Sequence, residues 1–245
     1  KGANVNAKDG WGSTALHIIA MIGNTAIARL LLEHGAEPSL ENSNGETALR
    51  EAATHGSEEM VKLLLKYQGL ESDAEKWIRQ AQFYNAVCEG EEETVQLLLE
   101  KGIDMTVKNA RGEYPLHWAT DRGHPRVASL LLQKGADIDA KDEFDETALL
   151  LACRKRNEEM VHFLLDKGAD IDARKGQGGN GCTALSWAAA QGEPQLVEIL
   201  LKRGADPQSV EVNSLERGRY VSPEDFEKAL DIVRSHSLDL GRIAL

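Results

Sequence analysis

Residues 176–181, GQGGNG, have the spacing that most resembles a cofactor-binding motif in this chain. They follow the pattern G-x-G-x-x-G and precede the helix-like stretch CTALSWAAA. In a dinucleotide site such glycines let the backbone approach a pyrophosphate at a helix N-terminus. Three glycines in six residues are also typical of any loop that needs positive φ angles. The surrounding elements must therefore decide between the two interpretations.

Other side chains that could carry chemistry are scattered. Cys88, Cys153 and Cys182 lie far apart, without C-x-x-C spacing or a histidine at zinc-ligand distance. The chain contains no H-E-x-x-H, Walker or G-x-S-x-G motif, and its histidines lie in separate segments. We therefore expect no catalytic residues, no metal site and no cofactor. Free thiols favour a reducing compartment, the cytoplasm or the nucleus.

The charge and hydropathy of the chain limit its partners. The formal net charge is -12 and the isoelectric point is about 5.1, so the average surface repels nucleic acid. No segment approaches the ~18 consecutive apolar residues of a membrane helix. The first ten residues, KGANVNAKDG, lack the apolar core of a signal peptide. We expect a soluble protein that binds neither nucleic acid nor membranes.

An internal repeat organises the chain. Aligning STALHIIAMIGNTAIARLLLEHGAEP with ETALREAATHGSEEMVKLLLKYQG places Thr14 opposite Thr47. The same frame continues at spacings of 33 to 36 residues, with an apolar triplet in constant phase. A period of this length is typical of stacked repeat architectures. Six units share the frame, and their equivalent positions are Thr14, Thr47, Ala81, Tyr114, Thr147 and Thr183.

Each unit predicts two short helices. A threonine such as Thr47 is placed to cap the first helix, because its hydroxyl can accept a hydrogen bond from an unpaired backbone N–H. Glycines such as Gly23 and Gly35 end the first and second helices in the left-handed conformation. Isolated helices need ~12–15 residues, so these shorter helices are marginal alone. Stacking of the helix pairs must therefore supply the stability.

The runs YPLHWATDRGH, STALHIIAMIG and LLLQKGADIDAKD resemble the ankyrin repeat, whose pattern is T-P-L-H-x-A-A, a leucine triplet and G-A-D. The resemblance covers residues 1–207 and implies an all-α fold, a solenoid of stacked helix-turn-helix units with short β-hairpin-like fingers. It also implies a concave, partner-binding face formed by fingers and first helices, with His17 and His117 as braces between neighbouring units. The six repeats start near Lys1, Glu41, Gly69, Lys108, Lys141 and Arg174.

This frame gives the glycine-rich stretch a place. Residues 176–181 fall in the finger between the fifth and sixth repeats, where the 36-residue spacing indicates three extra residues. A dinucleotide site would need a preceding parallel strand in a βαβ unit and an acidic residue about 20 positions on. Glu198 lies near that distance, but no βαβ alternation is visible. We therefore favour a lengthened finger over a phosphate-binding loop.

The pattern breaks between the second and third repeats. Residues 67–90, YQGLESDAEKWIRQAQFYNAVCEG, lack the G-A-D and D-x-x-G signals of a finger, whereas Ser72 and Glu75 match a capping box. From Trp77 onward, apolar residues recur at helical spacing. We predict that a helix starting near Asp73 replaces this finger and continues into the first helix of repeat three. The alternative is a degenerate repeat in which Trp77 only fills the core.

Two further departures mark candidate partner-binding residues. Arg154 and Lys155 follow the inner helix of repeat five, where other repeats carry glycine or a small polar residue. This basic spot could pair with an acidic peptide segment, or carboxylates of the adjoining finger, residues 143–146, could neutralise it. Trp11 and Phe144 share one register near the finger tips, which are usually exposed in the family. The predicted partner-binding residues are Trp11, Met21, Ile22, Arg111, Glu113, Asp121, Arg122, Phe144, Arg154 and Lys155.

Residues 208–245 carry no repeat and form a C-terminal extension. Ser222 as N-cap, Pro223 at the first helical position and two acids after it predict a helix over about 223–235. Phe226 and Val233 lie on one apolar stripe of this helix. We expect it to cover the last repeat, and the alternative is that the stripe binds a partner.

The sequence as a whole predicts a non-enzymatic module for protein–protein interaction. Its partner is a protein or peptide, for which an acidic segment is one candidate contact, and the chain is a monomer or part of a larger protein. The alternative is an adaptor or sensor region of a longer multidomain protein whose catalytic or signalling domain lies outside this chain. The resemblance of KGANVNAKDG to the end of a preceding repeat favours that alternative.

Overall fold

Six pairs of short helices follow one another along the chain, as the repeat predicts. The computed structural model describes residues 3–55, 57–69, 74–109, 111–176, 182–210 and 221–243, with side chains as far as residue 237. Within these ranges the fold is all-α, with thirteen helices and with isolated bridges in place of strands. The helices are α1 (Ala15–Ile22), α2 (Thr25–Glu33), α3 (Ala48–Thr54), α4 (Glu58–Gln68), α5 (Ala74–Glu89), α6 (Glu92–Glu100), α7 (Pro115–Arg122), α8 (Pro125–Gln133), α9 (Ala148–Arg154), α10 (Glu158–Asp166), α11 (Ala184–Ala190), α12 (Pro194–Lys202) and α13 (Pro223–Ile243).

The chain divides into two compact bodies. Residues 1–118 and 129–134 form the first, and residues 119–128 and 135–245 form the second. In the first body the inner helix α3 packs between α1 and α5, and the outer helices α2 and α4 pack together. In the second, α9 packs on α10 and α11, and α13 packs on α11 and α12. Each body thus repeats one packing pattern, inner helix on inner helix.

Small residues on the inner helices and leucines on the outer helices build the core. Ala20 and Ala52 are fully buried on inner helices, where the absence of a large side chain lets neighbouring helices approach closely. Met60 and Leu64 of the outer helix α4 are also fully buried. Full burial of such a side chain stabilises the fold by about 1.5–3 kcal/mol. Stacking therefore holds helices that are too short to be stable alone.

The predicted caps and the predicted brace at His17 are present. The hydroxyl of Thr183 accepts a hydrogen bond from the backbone N–H of Ser186 at 3.1 Å. The backbone N–H of Thr14 donates to Nδ1 of His17, and Nε2 of His17 therefore donates to the carbonyl of Glu46, 2.9 Å away in the next repeat. Burial lowers the pKa of His17, which favours this neutral tautomer.

The helix predicted in place of a finger is confirmed. α5 runs without interruption for 16 residues and carries Phe83 and Val87 into the core. Tyr84 on the same helix packs edge-on against Trp118, with ring centroids 5.0 Å apart. Trp77 is half-buried against the core, so it also contributes to packing. The predicted cap at residues 72–73 lies outside the described residues.

The C-terminal helix begins at Pro223 and is longer than expected. It ends at Ile243 rather than near residue 235, and the hydroxyls of Ser235 and Ser237 donate hydrogen bonds to carbonyls of the preceding turn. Its residues Ala229, Leu230 and Val233 are buried. Gly192 allows the close approach of this helix, since a Cβ there would lie 3.1 Å from the backbone N of Phe226.

None of the described helices combines the length and the apolar character that crossing a bilayer requires.

Candidate functional site

Four fingers are built on the same side-chain cradle. Oδ1 of Asp9 accepts hydrogen bonds from the backbone N–H groups of Trp11 and Ser13, both at 2.9 Å. A short polar side chain that bonds the backbone two residues on holds a tight turn. The finger before α1 is therefore fixed by its own sequence. The fingers before α3, α7 and α9 have equivalent bonds, made by Asn42, Asn109 and Asp142.

Each cradle presents one side chain at the tip of its finger. Trp11 is 76% exposed and Phe144 is 52% exposed, which is unusual for aromatic residues of this size. The equivalent residues in the other two fingers, Asn44 and Arg111, are also exposed. The four tips therefore share one backbone geometry and differ in chemistry.

Glu113 holds its finger together, whereas Arg111 points outward from it. Oε2 of Glu113 accepts a hydrogen bond from Nδ2 of Asn109 at 2.7 Å, and the residue is half-buried. Arg111 uses only its backbone N–H in the cradle and leaves its side chain exposed. Of this predicted pair, Arg111 is the one available for contact.

Met21 and Ile22 lie at the exit of the first inner helix. They are 41% and 64% exposed, respectively. Ile27 and Leu30 on α2 are also exposed, although their equivalents in the second repeat, Met60 and Leu63, are buried. The first repeat thus has a wide apolar surface that includes the two predicted residues.

The basic spot at the exit of α9 is neutralised by internal carboxylates. Nη2 of Arg154 donates to Oε2 of Glu146 at 3.0 Å, and Nε donates to Oε1 at 3.2 Å. Nζ of Lys155 lies 2.5 Å from Oδ1 of Asp121, whose other oxygen is 4.0 Å from Nε of Arg122. The structure thus brings Asp121, Arg122 and Lys155 together and directs Arg154 to its own finger. Of the two interpretations of this spot, the geometry favours neutralisation.

The second repeat contains a different electrostatic site. Glu46 and Glu51 are 6% and 4% exposed. Burial and the neighbouring Glu46 raise the pKa of Glu51 to about 7. Nδ1 of His55 lies 3.6 Å from Oε2 of Glu51, and burial lowers the pKa of His55. Both shifts favour the neutral forms, so they weaken this contact as an ion pair at neutral pH.

The glycine-rich stretch lies almost entirely outside the described residues. Gly176 is described and has a φ of 99°, whereas residues 177–181 are not. Lys175 and Cys182 form an antiparallel bridge with N–H···O distances of 3.0 and 3.1 Å. The described residues on either side are therefore paired as in a finger rather than as the parallel strand of a βαβ unit.

Cys153 is fully buried on α9. Burial raises the pKa of the Cys153 thiol to about 12. A thiol with so high a pKa is not a nucleophile at neutral pH. Cys88 and Cys182 are half-buried, and all three cysteines are free thiols.

Sequence reasoning used the D-x-x-G signal of a finger without predicting the bonds that its first residue makes, and it missed the Glu46–Glu51 pair. The cradle has a clear sequence signal, since each of its residues is Asp or Asn, five positions before the capping position of its repeat. The carboxyl pair has no such signal, because the burial of Glu51 depends on how neighbouring repeats stack.

The family comparison agrees with this architecture. A family model described as ankyrin repeats in three copies matches residues 1–76, 83–175 and 145–211. The regulatory protein SWI6 of Kluyveromyces lactis is 46% identical over 41 residues, which is 17% of this chain. The chain spans only 5% of the length of that relative.

Among solved structures, the ankyrin repeat domain of Bcl-3, titled a unique member of the IkappaB protein family, is similar at 26% identity. The similarity covers 95% of this chain and 87% of that one, with a TM-score of 0.44. The family model covers well over half of the residues and coincides with the six helix pairs. The chain therefore belongs to the ankyrin repeat family.

Proposed function

We propose that the chain is a non-enzymatic protein-interaction module whose protein or peptide partner docks on the face formed by its fingers and inner-helix exits. Ankyrin repeats are generally protein–protein interaction modules. The observation that carries the proposal is the exposure of Trp11 and Phe144 on fingers whose backbone is already fixed by Asp9 and Asp142. The concave form of this face is an inference from family membership.

Rigid fingers make exposed aromatic residues effective contacts. Binding costs conformational entropy for every loop that must become ordered, and a cradle that forms without the partner avoids this cost. Large aromatic side chains are frequent hot spots, because they bury much apolar area while losing few rotamers. Trp11 and Phe144 are therefore the main proposed anchors, with Arg111 as a polar contact at the tip of its own finger.

The remaining predicted residues have supporting roles in this proposal. Met21 and Ile22 extend the apolar surface near the first finger. Arg154 and Lys155 are engaged by Glu146 and Asp121, so an acidic partner segment would have to compete with these carboxylates. We therefore place Glu113, Asp121, Arg122, Arg154 and Lys155 at the rim, where charges affect the association rate more than the final affinity.

Affinity purification followed by binding measurements with the purified partner tests this proposal. The bait is the full chain, compared with the double variant Trp11→Ala and Phe144→Ala. We expect the dissociation constant to rise at least about tenfold in the double variant, since truncating a hot-spot residue costs about 2 kcal/mol or more.

The matched control is Tyr67→Ala, which removes an aromatic residue that is 42% exposed on α4, away from the fingers. Its dissociation constant is expected to stay within about twofold of the wild-type value. Partners that bind the double variant as tightly as the wild type would exclude the finger face.

We also propose that the module acts in a reducing compartment, the cytoplasm or the nucleus. The support is that all three cysteines are free thiols, which persist where thiols are kept reduced. The alternative, an interaction region within a longer adaptor or sensor, is decided by the full-length open reading frame.

A further inference from the structure

A groove runs along α5 and α6, at the point where a helix replaces a finger. Its larger part has a volume of about 910 Å³, and its apolar lining includes Ile78, Ala86, Leu97 and Leu98. Leu97 is 51% exposed, whereas Leu63 at the same register of the second repeat is 7% exposed. An apolar position that is covered in the second repeat is therefore open to this groove in the third.

The groove continues into a polar end between α5 and the turn after α6. This end has a volume of about 310 Å³ and is lined by Lys76, Gln80, Lys101 and their neighbours. Arg79 and Leu98 line both parts, so the apolar and polar parts are adjacent. All of these residues belong to the first compact body.

Gln80 brings an unused hydrogen-bond donor to the polar end. The residue is 5% exposed, and its Nε2 has no acceptor among the described residues. Leaving a buried amide donor unpaired costs about 1–3 kcal/mol. Native proteins seldom retain such a group without a function or a bound species that satisfies it. The donor indicates that the polar end receives a hydrogen-bond acceptor.

The carboxylates around this end are already engaged. Glu75 forms an ion pair with Arg79. Oδ1 of Asp104 accepts hydrogen bonds from the side chain and the backbone N–H of Thr106, at 2.7 and 2.8 Å. These hydrogen bonds lower the pKa of Asp104, so that it stays an acceptor for Thr106.

Within the described ranges, neither Lys76 nor Lys101 forms a close ion pair, although the charge of Lys76 acts on Asp104 at longer range and helps to lower the pKa of that carboxyl. Both lysines are exposed. The polar end therefore has three cations, those of Lys76, Arg79 and Lys101, against two acids, and the buried amide described above adds a donor. Positive charge that is not internally paired is complementary to an anionic group.

We propose that this groove is a second docking site, which takes a partner peptide carrying an acidic side chain next to an apolar one. The carboxylate binds at Gln80, Lys76 and Lys101, and the apolar side chain packs on Leu97 and Ile78. Charge complementarity specifies the acid, and the exposed leucine specifies its apolar neighbour. The site is independent of the finger face, because it uses none of the residues proposed there.

Selection from a random peptide library displayed on phage, with the full chain as bait, tests the proposal. We expect the selected peptides to share an acidic residue close to a large apolar residue. Lys76→Glu combined with Lys101→Glu should weaken binding of a selected synthetic peptide at least about tenfold, because two attractive charges become repulsive. Added salt should weaken wild-type binding as well.

The chain offers a closely matched control. Lys134 follows α8 at the same register that Lys101 has after α6, and Lys66 is an exposed lysine on α4. Lys66→Glu combined with Lys134→Glu changes the net charge equally, outside the groove. Peptide affinity in this variant should stay within about twofold of wild type if the site is local rather than a response to net charge.

Gln80→Leu separates a binding role from a structural one. Replacing an unpaired buried amide with an apolar side chain of similar size should leave the unfolding temperature unchanged or raise it. Peptide affinity should nevertheless fall about fivefold, because the carboxylate loses a hydrogen bond. A merely structural glutamine would not change affinity in a variant that folds normally.

Several outcomes would overturn the docking site. These are no enriched peptides, enriched peptides without an acidic residue, and acidic peptides whose affinity is insensitive to the Lys76 and Lys101 substitutions. Peptides that lose affinity with Trp11→Ala and Phe144→Ala, but not with the lysine substitutions, would support the finger face and reject the groove. The two proposals can therefore fail separately.

Discussion

The fingers before α3 and α9 share one backbone and have opposite electrostatics. Glu46 and Glu146 stand at the same position, one residue before the threonine cap, and each is buried. Glu46 lies beside a second buried carboxyl, Glu51, with Nε of Arg50 at 3.6 Å. Glu146 instead lies between two cations, with Arg154 at 3.0 Å and Lys175 at 3.3 Å.

The difference shows that the repeat determines where a side chain lies, whereas the side chains around it determine its ionisation and its partners. The position of Glu51 in repeat two is filled by Leu151 in repeat five, and the position of Arg154 is filled by Thr54. The second repeat therefore has a carboxyl with a raised pKa, that of Glu51, whereas the fifth repeat has a carboxylate, that of Glu146, paired with two cations. Both sites fit the same finger, because the cradle uses only the backbone N–H of Glu46 and of Glu146 and leaves their carboxyl groups to other neighbours.

The largest expected effect is that of Glu51→Gln, and it depends on pH. The pKa of Glu51 rises from 4.5 to about 7 on folding, so its contribution to stability is complete below pH 4.5 and is lost as the pH rises through 7. Glutamine cannot ionise. We therefore expect Glu51→Gln to raise the free energy of unfolding, relative to the wild type, by about 1–3 kcal/mol more at pH 8.5 than at pH 5, as measured by chemical denaturation.

The control is Glu59→Gln, an exposed carboxyl on α4, which should show no such growth. If both variants respond equally to pH, the carboxyl pair does not account for the difference between the two fingers.

A smaller effect of opposite sign is expected at the other finger. Glu146→Gln should destabilise the chain by about 1–2 kcal/mol at pH 7.5, because Arg154 and Lys175 lose their shared carboxylate. The matched Glu46→Gln should change stability by less than about 0.5 kcal/mol, since it removes repulsion with Glu51 as well as attraction to Arg50. Equal losses of unfolding free energy in the two variants would contradict the proposed electrostatic difference between the two fingers.

The third prediction concerns a backbone difference between the same two fingers. Gly45 has a φ of 73°, and its equivalent Asp145 has a φ of 56°, in the left-handed region that costs a side chain energy. A Cβ at Gly45 would meet no atom within 4 Å, so only the backbone conformation opposes Gly45→Asp. We expect this change to cost about 1 kcal/mol and Asp145→Gly to gain up to that amount in unfolding free energy.

Both substitutions can be followed by thermal denaturation. If Asp145→Gly destabilises the chain, the aspartate side chain makes a stabilising contact that outweighs the strain, and the two turns are not equivalent.

The smallest effect on stability is expected at the tips. Phe144→Ala and Asn44→Ala should each change the free energy of unfolding by less than about 0.5 kcal/mol, because both side chains are exposed. Only Phe144→Ala should reduce partner affinity. A large loss of stability in Phe144→Ala would mean that the ring serves the fold and not the interface.

Most of the fold follows from the sequence because it is local. The cap at Thr147, the glycine turns and the helix that replaces a finger are set by residues within a few positions of one another. The predicted end of α13 near residue 235 is wrong, because the apolar stripe that predicts the helix stops at Val233 although the helix continues to Ile243.

The candidate site was less predictable because it depends on distant neighbours. The sequence places Arg154 beside acids of its own finger, and the structure confirms the contact with Glu146. The sequence does not reveal that Asp121 forms an ion pair with Lys155 of another repeat, nor that Lys76 and Lys101 line one cavity. These pairings require the stacking of helices that are more than 20 residues apart.

Amide hydrogen exchange of the full chain, with and without its purified partner, tests the finger face most directly. The account predicts slower exchange in the partner complex at the tips around Trp11 and Phe144, with little change on the outer helices α4 and α10. Protection confined to outer helices, with unchanged exchange at residues 9–13 and 142–146, would contradict it.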